Sequence, residues 1–214
     1  NIDPCTEGSL GQFFNSTESE IDEAYIAARN SLAGWKAMSR VQRAEYLYEV
    51  VKLIEERREE LAHVISYETG KNYNESIAEI NEALHMAQYA FGSGRTPQGE
   101  CLASEIPEKD AYMLRKPKGV VAVISPWNFP LAIGAFWCAA PALVEGNTVV
   151  IKPSEDAPYS SQAAIKLYHD AGIPPGVINL IHGDGGVGNR LATRDVDHIC
   201  FTGSAEVGQH IRRV

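Results

Sequence analysis

Residues Lys118–Glu155 read KGVVAVISPWNFPLAIGAFWCAAPALVEGNTVVIKPSE, and this stretch decides the fold. Val120–Ile124 and Thr148–Ile151 are short apolar runs with little polar alternation, the pattern of parallel strands buried on both faces. Between them Leu131–Glu145 carries a helical apolar pattern closed by Gly146. The unit repeats toward the carboxyl end. Strands are predicted at Val177–Ile181 and His198–Thr202. Helices are predicted at Ser160–Ala171 (closed by Gly172), at Val187–Thr193, and from Ala205 to the last residue. Four strand–helix units predict an α/β fold with a doubly wound parallel sheet. Ligands of such sheets sit at the carboxyl ends of the strands.

Toward the amino end the pattern changes to helices. Thr17 with Glu20 forms a capping box, after which Ile21, Tyr25, Ala28, Leu32 and Trp35 recur at helical spacing. Ser39 with Gln42 repeats the signal. It opens a long helix with an inner stripe of Val41, Ala44, Leu47, Val51, Ile54, Leu61 and Val64, stopped near Gly70. A third helix carries Ile77, Ile80, Leu84, Ala87 and Phe91. Leu102, Ser104 and Ile106, a Glu108-Lys109-Asp110 turn, then Tyr112 and Leu114 read as a hairpin. An isolated hairpin is marginal in water, so it should pair with another strand or another subunit. The expected division is a helical part at 1–97, the hairpin at 98–117 as an oligomerisation element, and the sheet at 118–214.

The 214 residues are 44% hydrophobic and 22% charged, with a net charge of -9. An acidic chain argues against a nucleic-acid partner, which needs clustered Lys and Arg. The mixed run Glu55–Glu60 reads as a solvated helix face. No segment reaches the roughly 18 to 20 apolar residues that span a bilayer, so no membrane partner is expected. Cys5, Cys101, Cys138 and Cys200 are far apart, without a CxxC pair. Cys138 and Cys200 fall in apolar patterns as structural thiols, and a reducing, cytoplasmic location is expected. The chain begins at Asn1, which also accommodates a removed presequence. The histidines never meet a second ligand at metal spacing, and no metal is expected.

Three loops carry candidate chemistry. Gly183–Gly188 (GDGGVG) fits GxGxxG between a strand and a helix. The dinucleotide fingerprint also wants an acid at the tip of the next strand, and that strand ends Phe201-Thr202-Gly203-Ser204 without one. The glycine loop therefore reads as a tight turn beside a cofactor rather than as its main grip. Ile151-Lys152-Pro153-Ser154-Glu155 leaves the second strand of the sheet and offers a carboxylate for a ribose diol, with a lysine beside it. A surface loop with a salt-bridging lysine is the plainer alternative. In Ser125-Pro126-Trp127-Asn128-Phe129-Pro130, two prolines stiffen a loop that presents an asparagine. Its amide can donate to a developing oxyanion or cap the helix that follows, and composition alone leaves both open.

In this order, PWNFP, KPSE, GDGGVG and FTGSAEVG closely resemble the aldehyde dehydrogenase superfamily, from about the first helix to the end of the chain. The resemblance implies an unusual Rossmann-like sheet lacking a conventional glycine fingerprint, and an NAD cofactor with NADP as the alternative. It implies that Asn128 stabilises the oxyanion. It further implies that Ile124, Ser125, Pro126 and Trp127 line the cofactor cleft, that Lys152, Ser154 and Glu155 hold the adenosine ribose, and that Gly183 lies near the adenine. Phe201, Thr202, Gly203 and Ser204 would lie under the nicotinamide and diphosphate, with Val207 on the adenine side. Ser204 and the helix after it would form an anion site. In such enzymes a cysteine thiolate attacks an aldehyde, hydride passes to the nicotinamide, and a glutamate activates water. Both of those residues would follow the FTGS segment. The expectation is an inactive amino-terminal part of a homo-oligomeric enzyme that oxidises a small aldehyde to its acid. PSEDAP and GDGGVGNRLA lean toward the pyrroline-carboxylate and semialdehyde group. The alternatives are a non-catalytic nucleotide-binding module of the same fold and a short-chain reductase. The latter would need a Tyr-x-x-x-Lys pair, which Tyr89 does not supply.

Overall fold

The computed structural model describes residues 1–214. Four helices come first: α1 (Glu18–Ala37), α2 (Arg40–Glu56), α3 (Arg58–Thr69) and α4 (Tyr73–Ser93). Both expected capping boxes are present, Thr17 with Glu20 and Ser39 with Gln42. The single long helix expected after Ser39 is interrupted at Arg57 (φ -103°, ψ 18°). The charge run explains the break. Arg57 pairs with Asp170 at 2.5 Å and Arg58 donates to Asn81 Oδ1 at 2.5 Å, so these arginines tie elements together instead of facing solvent. The buried stripe also differs from the expected one. Leu61, Ala62 and Ile65 are buried, whereas Val41, expected inside, is exposed.

The hairpin is β1 (Gly99–Leu102) paired antiparallel with β2 (Ala111–Leu114). It is shorter and earlier than expected. Ile106 lies in the turn, its carbonyl accepting from Lys109 N at 3.0 Å, and Ser104 lies outside the strands. Leu102, Tyr112, Met113 and Leu114 are all exposed.

The sheet consists of β3 (Val120–Ile124), β4 (Thr148–Lys152), β5 (Ile178–Leu180) and β6 (His198–Phe201), in the order β5-β4-β3-β6 and parallel throughout. Successive side chains point to opposite faces, and each face has its own core. Val121, Val123, Val149, Ile151 and Ile178 join the larger core, with α2, α3, α4 and α6 (Pro158–Asp170). Val120, Ala122, Ile124 and Val150 join the smaller one, with Ile21 and Ala28 of α1 and Val187 and Leu191 of α7 (Gly185–Ala192). The sheet is therefore doubly wound. No helix is long and apolar enough to cross a membrane.

The helix expected at Leu131–Glu145 is not a uniform α-helix. Ile133–Ala139 is a π-helix, continued by α5 (Ala140–Val144). Tyr168 Oη donates to the Ala135 carbonyl at 2.5 Å inside this ladder, the kind of side-chain insertion that accompanies departure from regular pairing. The carboxyl end of α5 is held from α1 and α2. Trp35 Nε1 donates to Leu143 O and Arg43 Nε to Val144 O, each at 2.9 Å, which places a cation at a helix carboxyl terminus. A last helix, α8 (Ala205–Ile211), follows β6.

Candidate functional site

The carboxyl ends of β3, β4 and β6 open onto a cleft of about 570 Å³. The chain steps outward from β3 to β4 and β5, then returns to β6 on the other side of β3, so the cleft lies at the topological switch of the sheet. The first loop brings Ile124, Ser125, Pro126 and Trp127 to its wall, and the second brings Lys152, Ser154 and Glu155. The tip of β6 and the start of α8 bring Phe201, Thr202, Gly203, Ser204 and Val207. Gly185, Gly188 and Asn189 of α7 and Glu206, His210 and Ile211 of α8 complete the lining. Gly185 and Gly188 belong to the glycine loop expected beside the cofactor, whereas sequence reasoning missed Asn189, Glu206, His210 and Ile211 as site residues. The only signal of these four was helical phase, since α7 and α8 run beside the cleft and His210 Nε2 meets Asn189 Oδ1 at 2.6 Å.

Gly183 is the exception among the expected cofactor residues, for it does not line the cleft. Its φ of +147° and the crowding of Val187 against any added Cβ make it a required glycine. Its carbonyl accepts from Lys152 Nζ at 2.5 Å. The rest of the glycine loop satisfies itself. Asp184 Oδ1 accepts from Gly186 N at 2.8 Å and Val187 N at 3.1 Å. The Val187 bond foremost, with that from Gly186, holds the Asp184 carboxyl below its ordinary range. An aspartate thus occupies the helix terminus where a dinucleotide fingerprint would place a phosphate.

Lys152 is almost fully buried, and burial pushes its ammonium below the ordinary lysine range, opposed by Glu155. Glu155 stands 3.5 Å away and is half exposed to the cleft. Ser125 Oγ is buried and makes no hydrogen bond within the protein. A half-exposed carboxylate, a fixed cation and an unpaired hydroxyl in one cleft are a donor and acceptor set that suits a nucleotide.

Asn128 is exposed beyond the lining residues, and its side chain caps nothing. The first-turn donors Leu131 N and Ala132 N go instead to Glu79 Oε1, at 2.9 and 3.2 Å. Glu79 is buried and pairs with Lys71 at 2.6 Å, and Lys71 also donates to the Asn128 carbonyl at 2.5 Å. A second buried acid, Glu68, likewise accepts from Tyr159 N and Ser160 N of α6, both at 2.7 Å. Neither acid belonged to a motif. The one sequence signal was a carboxylate within an apolar helical pattern, as at Glu79 beside Ile80.

None of the four cysteines lines the cleft. Cys138 and Cys200 are half-buried neighbours. The neighbouring Cys138 thiol pulls the Cys200 thiol below its ordinary range, while burial opposes the shift. No group of three or more His, Cys, Asp or Glu side chains is arranged to hold a metal ion.

The model of the aldehyde dehydrogenase family matches residues 1–214. The chain belongs to the aldehyde dehydrogenase family. It is 41% identical over 206 residues to an α-ketoglutaric semialdehyde dehydrogenase of Bacillus subtilis, covering 94% of the chain and 42% of that protein. It is 38% identical over 216 residues to a betaine aldehyde dehydrogenase of the same organism, covering 99% and 44%. The structure of a betaine aldehyde dehydrogenase from Staphylococcus aureus in complex with NAD+ superposes with a TM-score of 0.93 at 33% identity, covering 99% of this chain and 43% of that one. The chain thus spans less than half the length of the relatives it matches.

Proposed function

We propose that this chain forms the cofactor-binding part of an enzyme that oxidises an aldehyde to a carboxylic acid with NAD, and that Asn128 is its oxyanion donor. The observation that carries the reading is the convergence on one cleft of three loops, with Glu155 beside the buried Lys152. Glu155 would accept both hydroxyls of the adenosine ribose. Lys152, pinned by Gly183 O, would approach the same ring. Ser125 would offer its unpaired hydroxyl along the cleft. Bound NAD would supply the hydride acceptor. The betaine aldehyde dehydrogenase complex with NAD+ supports this choice of cofactor. NADP would set a 2′-phosphate against Glu155 and is disfavoured.

The Asn128 amide is free of intramolecular bonds and would donate to the aldehyde oxygen as it becomes anionic. The thiolate must come from outside the cleft described here, so the 214-residue chain alone should not turn over. A semialdehyde substrate is supported by the relative at 41% identity. The exposed hairpin would pair with a second copy of the protein, making residues 98–117 an oligomerisation element between a helical part (1–97) and the sheet (118–214). The free thiols suit a reducing, cytoplasmic setting.

Asn128→Ala in the enzyme that unites this chain with its catalytic cysteine tests the reading. Loss of one oxyanion donor lowers kcat by roughly 10² to 10³, with NAD affinity and unfolding midpoint nearly unchanged. Normal kcat would overturn it.

A further inference from the structure

We infer that Lys71 and Glu79 act together as a clamp that positions the Asn128 amide, making both of them positioning residues for the reaction. The inference rests on the role proposed for Asn128.

The loop that carries Asn128 has few bonds of its own. Ser125 N donates to Lys152 O at 3.2 Å, and Ile133 N reaches back to Phe129 O at 3.1 Å. Between these points, Ser161 Oγ of α6 donates to the Pro130 carbonyl at 2.8 Å, and the remaining side-chain bonds to residues 128–132 come from α4 and the turn before it. Lys71 Nζ donates to the Asn128 carbonyl at 2.5 Å and lies 4.4 Å from the centre of the Phe129 ring. Glu79 accepts Leu131 N and Ala132 N through one oxygen, and Lys71 Nζ at 2.6 Å through the other. Two side chains therefore fix the asparagine's own carbonyl and, just after it, a ring and two amides.

The clamp is itself rigid. Lys71 stands between Gly70, in the left-handed conformation that ends α3 (φ +70°), and Asn72, whose side chain caps α4. Its carbonyl accepts from Ser66 Oγ at 2.7 Å. The Glu79 side chain is fully buried. A buried carboxylate is retained only where it is paired and hydrogen-bonded, and here every partner belongs to the Asn128 loop or to Lys71. A purely structural helix cap would need Glu79 alone. Lys71 adds a strong bond to the carbonyl of the very residue whose amide must meet a developing charge. Preorganisation of this kind matters because a displacement near 1 Å can cost about 10² in rate.

The test is a double-mutant cycle in the enzyme that contains this chain and the catalytic cysteine. Lys71→Met should lower kcat roughly 10- to 100-fold, with KM for NAD within about twofold, since the Glu155 end of the cleft is remote. Lys71→Arg, which keeps the charge and the donors, should recover most of the loss. In the Asn128→Ala background, Lys71→Met should cost less than about twofold more, because its effect passes through the missing amide. Glu79→Gln should behave like Lys71→Met and serves in its place if that variant does not fold. Full additivity of the two losses, or normal kcat in Lys71→Met while Asn128→Ala is impaired, overturns the clamp. Normal kcat in Asn128→Ala itself overturns the proposed role of Asn128, whatever Lys71 does.

Discussion

The buried ammonium of Lys152, at the tip of β4, donates to the carbonyl of Gly183 at 2.5 Å and so ties the second loop of the cleft to the glycine loop. One lysine thereby serves two ends. It closes an otherwise unpaired carbonyl beneath α7, and it holds a positive charge 3.5 Å from the Glu155 carboxylate.

Lys152→Met keeps the stem and removes the charge. The Gly183 carbonyl then loses a charge-assisted partner, worth about 1.5 to 3 kcal/mol. We expect a lower unfolding midpoint together with an NAD affinity reduced by roughly tenfold or more. Thermal unfolding and NAD titration of the same variant check both. Weaker NAD binding at unchanged stability would show that the tie to Gly183 is dispensable.

Glu155→Gln separates the ribose assignment from general packing, because Glu155 is half exposed and tied only to Lys152. Replacing a charged acceptor of two hydroxyls should weaken NAD by about 10- to 100-fold. The penalty against a 2′-phosphate should fall at the same time, so the ratio of NAD to NADP affinity narrows. A parallel loss for both nucleotides, with the ratio intact, would place the ribose elsewhere.

Gly134 stands where any Cβ would press on Ser125 Oγ at 2.7 Å and approach Ile151 Cγ2 at 3.5 Å. Gly134→Ala should therefore cost about 1 to 3 kcal/mol, as overpacking does. It should also disturb the Ser125 wall of the cleft. Denaturant unfolding should show an earlier midpoint, and an unchanged midpoint would mean that the π-helical turn yields freely.

His182 carries a pH dependence. Burial, and after it the nearby Lys152 cation, hold its imidazole below the ordinary range. On acidification the unfolded chain takes up this proton first, near pH 6.5. Its stability contribution is then complete above that pH and declines below it. His182→Gln should flatten the dependence of the unfolding midpoint between pH 7.5 and 5.5, relative to the unmutated chain. An equally steep decline in the variant would assign the effect to other groups.

Much of the fold was legible because its signals are local. Capping boxes at Thr17 and Ser39, Gly70 after a helix and the uninterrupted apolar runs of β3 and β4 each act within a few residues. The break at Arg57 was not legible, since its partner Asp170 is 113 residues away. The π-helix was hidden for the same reason, its inserted hydroxyl coming from Tyr168. At the site, the loop motifs named the parts of the wall that leave β3, β4 and β6, but not Asn189 of α7 or Glu206, His210 and Ile211 of α8. The supports of those loops, Lys71 in a turn and Glu79 and Glu68 on helices, looked like ordinary charges and became visible only when their partners across the fold were known.

The dinucleotide is proposed to lie across the ends of β3, β4 and β6 with its ribose on Glu155, and not over the glycine loop. A crystal structure of the protein with bound NAD+ tests this most directly. We expect the adenosine ribose hydroxyls on the Glu155 carboxylate, near Lys152, with Asp184 still capping Gly186 and Val187. A diphosphate bound to the amides of Gly186 and Val187, with Asp184 displaced, would contradict it.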